Sequence, residues 1–236
     1  MKHTIKLALE YNEGGTMIHL LDYKGAFTRG KTKDIALKKI YDEYMDYSHW
    51  LNMTDIENDI DYEIVQKQYS KLNISDADTD ILLYTEKKKL TIKEYEDLKF
   101  IVIKSAFDFH ALYLSIPDKN YSIIEPRKTF YGNVPRTAKE MYNHTNEVTN
   151  FYMNGLNLAI DDRNDIYTNR LSAMKIIDNN INLLKNDPLY INNEYWTLSK
   201  VLRRFLWHDR IHAKAMYKLA TTKWKSNELI NNFHFR

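Results

Sequence analysis

Four amphipathic segments, each opened by a side chain able to cap a helix, fill the chain from Thr91 to about Thr222 and commit that stretch to helices packed on one another. Thr91-Ile92-Lys93-Glu94 and Thr137-Ala138-Lys139-Glu140 fit the capping box, in which a Thr oxygen and a Glu carboxylate satisfy each other's free backbone N–H groups. The first box leads an apolar stripe to Ile116, and Pro117 stops it. The second follows Pro135 and opens a helix to about Asn154, with Met141, Val148 and Phe151 on one stripe. A third helix is predicted from about Asp165 to Leu184, with Leu171, Met174, Ile177, Ile181 and Leu184 turned inward and Asn186-Asp187-Pro188 as its end. The fourth runs from the Thr197 cap, with Val201, Phe205, His208, His212, Ala215 and Leu219 as inward positions.

Before these helices the pattern differs. Ile5, Leu7 and Leu9 alternate with Thr4, Lys6 and Ala8 in a strand from Lys2 to Glu10, and Asn12-Glu13-Gly14-Gly15 turns into a second strand, Thr16 to Leu20. Thr32 caps a predicted helix from about Lys33 to Leu51, with Ile35, Ala36, Ile40, Tyr44, Tyr47 and Trp50 near one face. Short strands are expected at Ile64-Val65 and at Ile81 to Tyr84, and the run Glu86-Lys87-Lys88-Lys89 reads as the exit. The fold class is α+β: a small β-β-α-β domain over 1–86, then an all-α four-helix bundle over 87–236.

Composition narrows the chemistry. With 44% hydrophobic and 28% charged residues the chain can bury a core, which excludes disordered and collagen-like classes. The formal charge of +2 offers no basic field for nucleic acid, which is not an expected partner. There are 0 cysteines, so disulfides, thiolate nucleophiles and Cys-based metal sites are excluded and any metal site is His-led. The opening MKHTIKLALEYNEGG lacks a signal-peptide core and no run is apolar for long enough to span a bilayer, so a cytoplasmic, non-membrane protein is expected. Heavy use of Lys, Asn, Ile and Tyr fits an AT-rich bacterial genome and carries no chemistry.

The chemistry lies in the histidines. His208 and His212 occupy successive core positions of the fourth helix, and a pair at i, i+4 presents both rings to one point. His144 takes a core-facing place between Met141 and Val148 on the second helix. Three imidazoles leaving a coordination position open suit a catalytic divalent metal, with zinc or nickel foremost and iron, cobalt or manganese also compatible. The alternative is three satisfied core histidines, hydrogen-bonded to a carboxylate such as Glu147 or Asp209. Glu147, one turn after His144, is a candidate general base, fourth ligand or outer acceptor. Arg204, one turn before His208, is a candidate contact for an anionic substrate, against a packing or ion-pairing role. His110 is expected in the core, and His3, His19, His49 and His234 show no partner spacing. Arg203-Arg204 and Lys87-Lys88-Lys89 read as solvated charge at helix or linker ends.

The segments YGNVPRTAKEMYNHTNEVTNF (Tyr131 to Phe151) and EYWTLSKVLRRFLWHDRIHAKAMYKL (Glu194 to Leu219) resemble the second and fourth helices of DinB-like proteins. That resemblance covers about residues 90 to 222 and implies a four-helix bundle with a divalent metal held by His144, His208 and His212. Gly25-Ala26-Phe27-Thr28-Arg29-Gly30-Lys31-Thr32 resembles the GxFxxGxT-type segment of HicB-like domains, antitoxins that pair with a small RNA-cleaving protein. No added DNA-binding segment accompanies it, so the antitoxin role does not transfer, and the domain is expected to pack on the bundle, contribute a homodimer contact or bind a protein partner. Taken together, the expected function is a metal-dependent enzyme, either a hydrolase or a transferase using a low-molecular-weight thiol, with Glu147 as proton acceptor. The alternative is a non-catalytic metal- or ligand-binding stress or sensor protein whose N-terminal domain binds a protein.

Overall fold

Both capping boxes start their helices where the sequence places them. In the computed structural model, which describes residues 3–129 and 132–236, α3 (Ile92–Ser115) is capped by Thr91 with Glu94 reciprocating, and α4 (Ala138–Asn154) by Thr137 with Glu140. Lys2 of the predicted first strand and Tyr131 of the DinB-like segment lie outside the described residues. Two further helices, α5 (Ile166–Asp178) and α6 (Leu198–Ala220), start at Asp165 and Thr197, whose side chains accept from the N–H groups of Thr168 and Lys200. Tyr95 donates to Asp178 across 2.7 Å and Phe107 meets Tyr167, so α5 runs antiparallel to α3. The four pack together as a helical bundle at the end of a mixed α+β chain.

The third helix is shorter than predicted, and its inward face differs. After Asp178 the chain makes a single turn, Ile181–Lys185, and Leu171 and Ile181 point to solvent. The buried side of α5 is instead Ile166, Asn169, Arg170, Ala173, Met174 and Ile177. Two of its inward positions are polar, so a stripe read from hydrophobicity turns the helix the wrong way.

The N-terminal part carries a four-stranded sheet: β1 (His3–Asn12), β2 (Gly15–Leu20), β3 (Phe27–Gly30) and β4 (Ile60–Tyr69), in the order β3-β2-β1-β4. β1 pairs antiparallel with β2 and parallel with β4. β3, four residues long, is too short to show alternation and was not expected. β4 extends well beyond Ile64-Val65, and a register shift opposite Leu7/Ala8 leaves Val65 unpaired and breaks the alternation by which the whole strand would be read. Ile81 to Tyr84 forms no strand. Ile81 and Leu83 are buried, and Gln66 holds the segment by its side chain through the Leu82 carbonyl and the Tyr84 N–H.

The predicted 33–51 helix is two helices, α1 (Lys33–Leu37) and α2 (Ile40–Trp50). The Thr28 hydroxyl donates 2.9 Å to the Ala36 carbonyl, the acceptor that the Ile40 N–H would take in an unbroken helix. Ile35, expected on the buried face, is exposed.

α6 is enclosed from all sides over its first thirteen positions, Leu198 to Arg210. The bundle covers one side and the N-terminal part the other. Gly25 sits against it: at φ +86 an added Cβ would lie 2.4 Å from the Leu206 Cβ. The charges on this helix are therefore paired inside the molecule rather than solvated. Arg203 donates 2.5 Å to Glu86, Arg210 2.6 Å to Glu43, and Lys200 reaches the Asp80 and Tyr195 carbonyls and Glu194. This corrects the reading of Arg203-Arg204 as surface charge, and Ala215, expected inward, is exposed. Glu86, at the expected boundary, is buried, while Lys87 to Lys89 are exposed. One hydrophobic cluster runs from Ile5 and Leu7 through Tyr44 and Trp50 to Phe109 and Phe205, so sheet and helices share a core. Two small two-stranded sheets, β5 (Lys128–Thr129) with β6 (Gly132–Asn133) and β7 (Leu189–Ile191) with β8 (Glu194–Trp196), lie in the connections between helices. No helix among the described residues is long and apolar enough to cross a membrane.

Candidate metal centre

His144 comes from α4, two turns past its cap, and His208 and His212 from successive turns of α6. The two helices face each other along this stretch, and one ligand nitrogen from each ring lies within 4.8 Å of the others. Ring centroids are 5.0 Å apart for His144 and His208, 4.9 Å for His144 and His212, and 4.7 Å for His208 and His212. The Nε2 atoms of His208 and His212 approach to 3.0 Å, so one ring donates its N–H to the other. His208 is buried and the other two are half-buried.

Burial sets the charge of the cluster. It holds His208 well below the ordinary imidazole range, with the His212 and His144 rings adding to the effect. It lowers His212 to about 3, His144 contributing, and lowers His144 against the opposing pull of Glu147. All three rings are neutral at pH 7, and a cation that displaced the proton shared by the His208 and His212 Nε2 atoms would find a lone pair on each. Three neutral nitrogens at this spacing, with no carboxylate among them, fit a divalent ion that keeps positions open for exogenous ligands.

The alternative of carboxylate-satisfied core histidines has no support among the described residues. Asp209 is committed to Arg170 through two 3.0 Å bonds, and Glu147 is exposed on α4, sensed by His144 only through its charge. Arg204 is buried. Its guanidinium lies against the Tyr152, Trp196 and Trp207 rings and donates to the Thr79 carbonyl, which places it beside Tyr152 rather than among the ligand nitrogens.

No protein-family model, curated protein or solved structure matches this chain. The DinB-like and HicB-like resemblances stand on their motifs alone.

Sequence reasoning missed Tyr152, whose hydroxyl lies 3.3 Å from His208 Nδ1. The available signal was its place two turns after His144 on the same helix face. A ring that binds metal through Nε2 keeps its proton on Nδ1 and needs an acceptor there, which the Tyr152 oxygen provides. Removing such outer partners weakens metal binding about 10–100-fold. Tyr152→Phe is expected to weaken zinc affinity about 10-fold in a competitive chelator titration, and an unchanged affinity would remove Tyr152 from the site. The other histidines stay apart: His110 Nδ1 lies 2.6 Å from the Tyr142 hydroxyl, His3 bonds Tyr23, His49 lies near His234, and His19 is buried on Glu10.

The depressed imidazoles carry a pH signature. In the unfolded chain each titrates near its ordinary value of about 6.5. Below that pH the unfolded state binds protons that the folded cluster refuses, so stability is full above about pH 6.5 and drains as pH falls towards the folded values. The melting temperature of metal-free protein is expected to fall between about pH 6.5 and pH 4, with a shallower slope in His212→Gln. Identical slopes for both proteins would contradict the burial of these rings.

Proposed function

We propose that this chain is a divalent-metal-dependent enzyme, either a hydrolase or a thiol-dependent transferase, with its centre at His144, His208 and His212. The observation that carries the reading is the convergence of three neutral imidazole nitrogens within 4.8 Å from two helices, with His144 and His212 half-buried rather than sealed in the core. His144, His208 and His212 would hold a divalent ion, which would supply Lewis acidity for activating a nucleophile or polarising a carbonyl. The chain's own groups have separate tasks. Tyr152 orients His208 through Nδ1, and Arg204 backs the Tyr152 ring at 5.2 Å. Glu147, exposed one turn from His144, accepts the proton released from the nucleophile. The DinB-like motifs support the same assignment, and the N-terminal sheet serves to enclose α6.

The discriminating experiment is a screen of esters, amides and electrophilic substrates with zinc-, nickel-, iron- or manganese-reconstituted protein, with and without a low-molecular-weight thiol. Turnover without thiol identifies a hydrolase, and turnover only with thiol a transferase; either must vanish in His208→Ala. A metal that raises the melting temperature while no substrate turns over points to the non-catalytic sensor.

A further inference from the structure

The outer face of α3 carries an apolar stripe that the bundle does not use. Phe100, Phe107 and Leu114 are 67%, 52% and 58% exposed, an unusual state for bulky residues on one helix face. Ile103 and Ala111, half-buried, fill the turns between them. The apolar positions are spaced symmetrically about Phe107: Ile103 and Ala111 stand four residues away on either side, Phe100 and Leu114 seven. Leu171 of the adjacent α5, 40% exposed, widens it, and Tyr167 braces Phe107 edge-on with ring centroids 5.4 Å apart.

We propose that this face is the interface of a homodimer, in which α3 packs antiparallel against α3 of a second copy across a two-fold axis at Phe107. A two-fold interface requires a self-complementary patch, and a stripe symmetric about one residue meets that requirement. The axis sets Phe107 on its own counterpart, Phe100 on the second copy's Leu114, and Ile103 on its Ala111. The areas agree. A phenylalanine offers about 150–250 Å². At exposures of 67%, 52%, 58% and 40%, Phe100, Phe107, Leu114 and Leu171 together leave about 400 Å² of apolar surface per copy. A stable interface buries about 800 Å² per partner, of which little more than half is apolar. Glu96 and Asp118, which bound the stripe, would face each other if the helices lay parallel to the axis of contact throughout. A shallow crossing of about 20° moves these like charges apart while keeping Phe100 beside the second copy's Leu114.

The chain contains 0 cysteines, so introduced thiols report contacts without background. Phe107→Cys, alone, is expected to form an intermolecular disulfide with itself under mild oxidation, because a residue on the axis meets its own copy. Leu114→Cys alone is expected to stay reduced, while Phe100→Cys mixed with Leu114→Cys cross-links. Sedimentation should give wild type at twice the 28.2 kDa chain mass and Phe107→Glu at that mass itself, with unchanged circular dichroism. Wild type that sediments as a monomer at all concentrations overturns the proposal and leaves the face to another protein. A dimer that survives Phe107→Glu, with no cross-link through Phe107→Cys, overturns it by placing the interface elsewhere.

Discussion

Protein prepared without a nickel column is expected to retain near-stoichiometric divalent metal, and His208→Ala to lose it. His208 is the buried member of the cluster, its Nε2 3.0 Å from that of His212 and its ring 5.0 Å from His144. Loss of an outer-shell partner alone costs about 10–100-fold in affinity, so loss of a ligand should weaken binding by more than about 100-fold. Elemental analysis of wild type beside the variant is the readout. Because His208 is buried, its replacement also leaves a cavity, and His144→Ala at a half-buried position provides a second variant less open to that objection. Both should lose metal while circular dichroism stays helical. If wild type stays empty after reconstitution with zinc, nickel, iron and manganese, the three rings are core residues and the partner-binding alternative leads.

The largest effect on stability is expected at Asp209. It sits beside His208 on α6 but turns away from the cluster, receiving both terminal nitrogens of Arg170 at 3.0 Å while the guanidinium lies 3.9 Å over the Phe205 ring. Both partners are almost wholly buried. Burial pushes the Asp209 carboxyl up, against the pull of Arg170. Removing one member leaves an unpaired charge in the interior, which costs about 3–5 kcal/mol. Asp209→Ala should lower the melting temperature by about 10 °C or more, with a matching loss in urea unfolding. Adding Arg170→Met should restore most of the loss, since an apolar replacement of the whole pair is often neutral. A single-variant cost under about 1 kcal/mol would mean that water reaches the pair.

The local signals that survived folding were those satisfied within a few residues. Thr91 with Glu94 and Thr137 with Glu140 close their capping boxes by backbone geometry alone, and α3 and α4 begin accordingly. The three histidines were legible for the same reason: spacing of four residues on α6 and a core-facing place on α4 follow from helical period. The signals that failed depended on partners far away in sequence. At the break between α1 and α2 the Ala36 carbonyl accepts from the distant Thr28 hydroxyl and from the Lys39 N–H, and β4 was obscured by a register shift visible only against β1. Leu171 was assigned inward because hydrophobicity does not show that Arg170 has Asp209 waiting across the bundle.

Sequence by itself determined the class of the fold, the starts of its four long helices and the three rings that form the candidate centre. Tertiary structure decided which charges could be buried. Arg203, Arg204 and Arg210 look like surface residues, yet α6 lies between the bundle and the sheet, where Glu86, the Thr79 carbonyl and Glu43 receive them. It also supplied Tyr152 to His208 and left the α3 stripe uncovered. A burial cost is offset only by a partner's position, and position is a property of the assembled chain rather than of any segment of it.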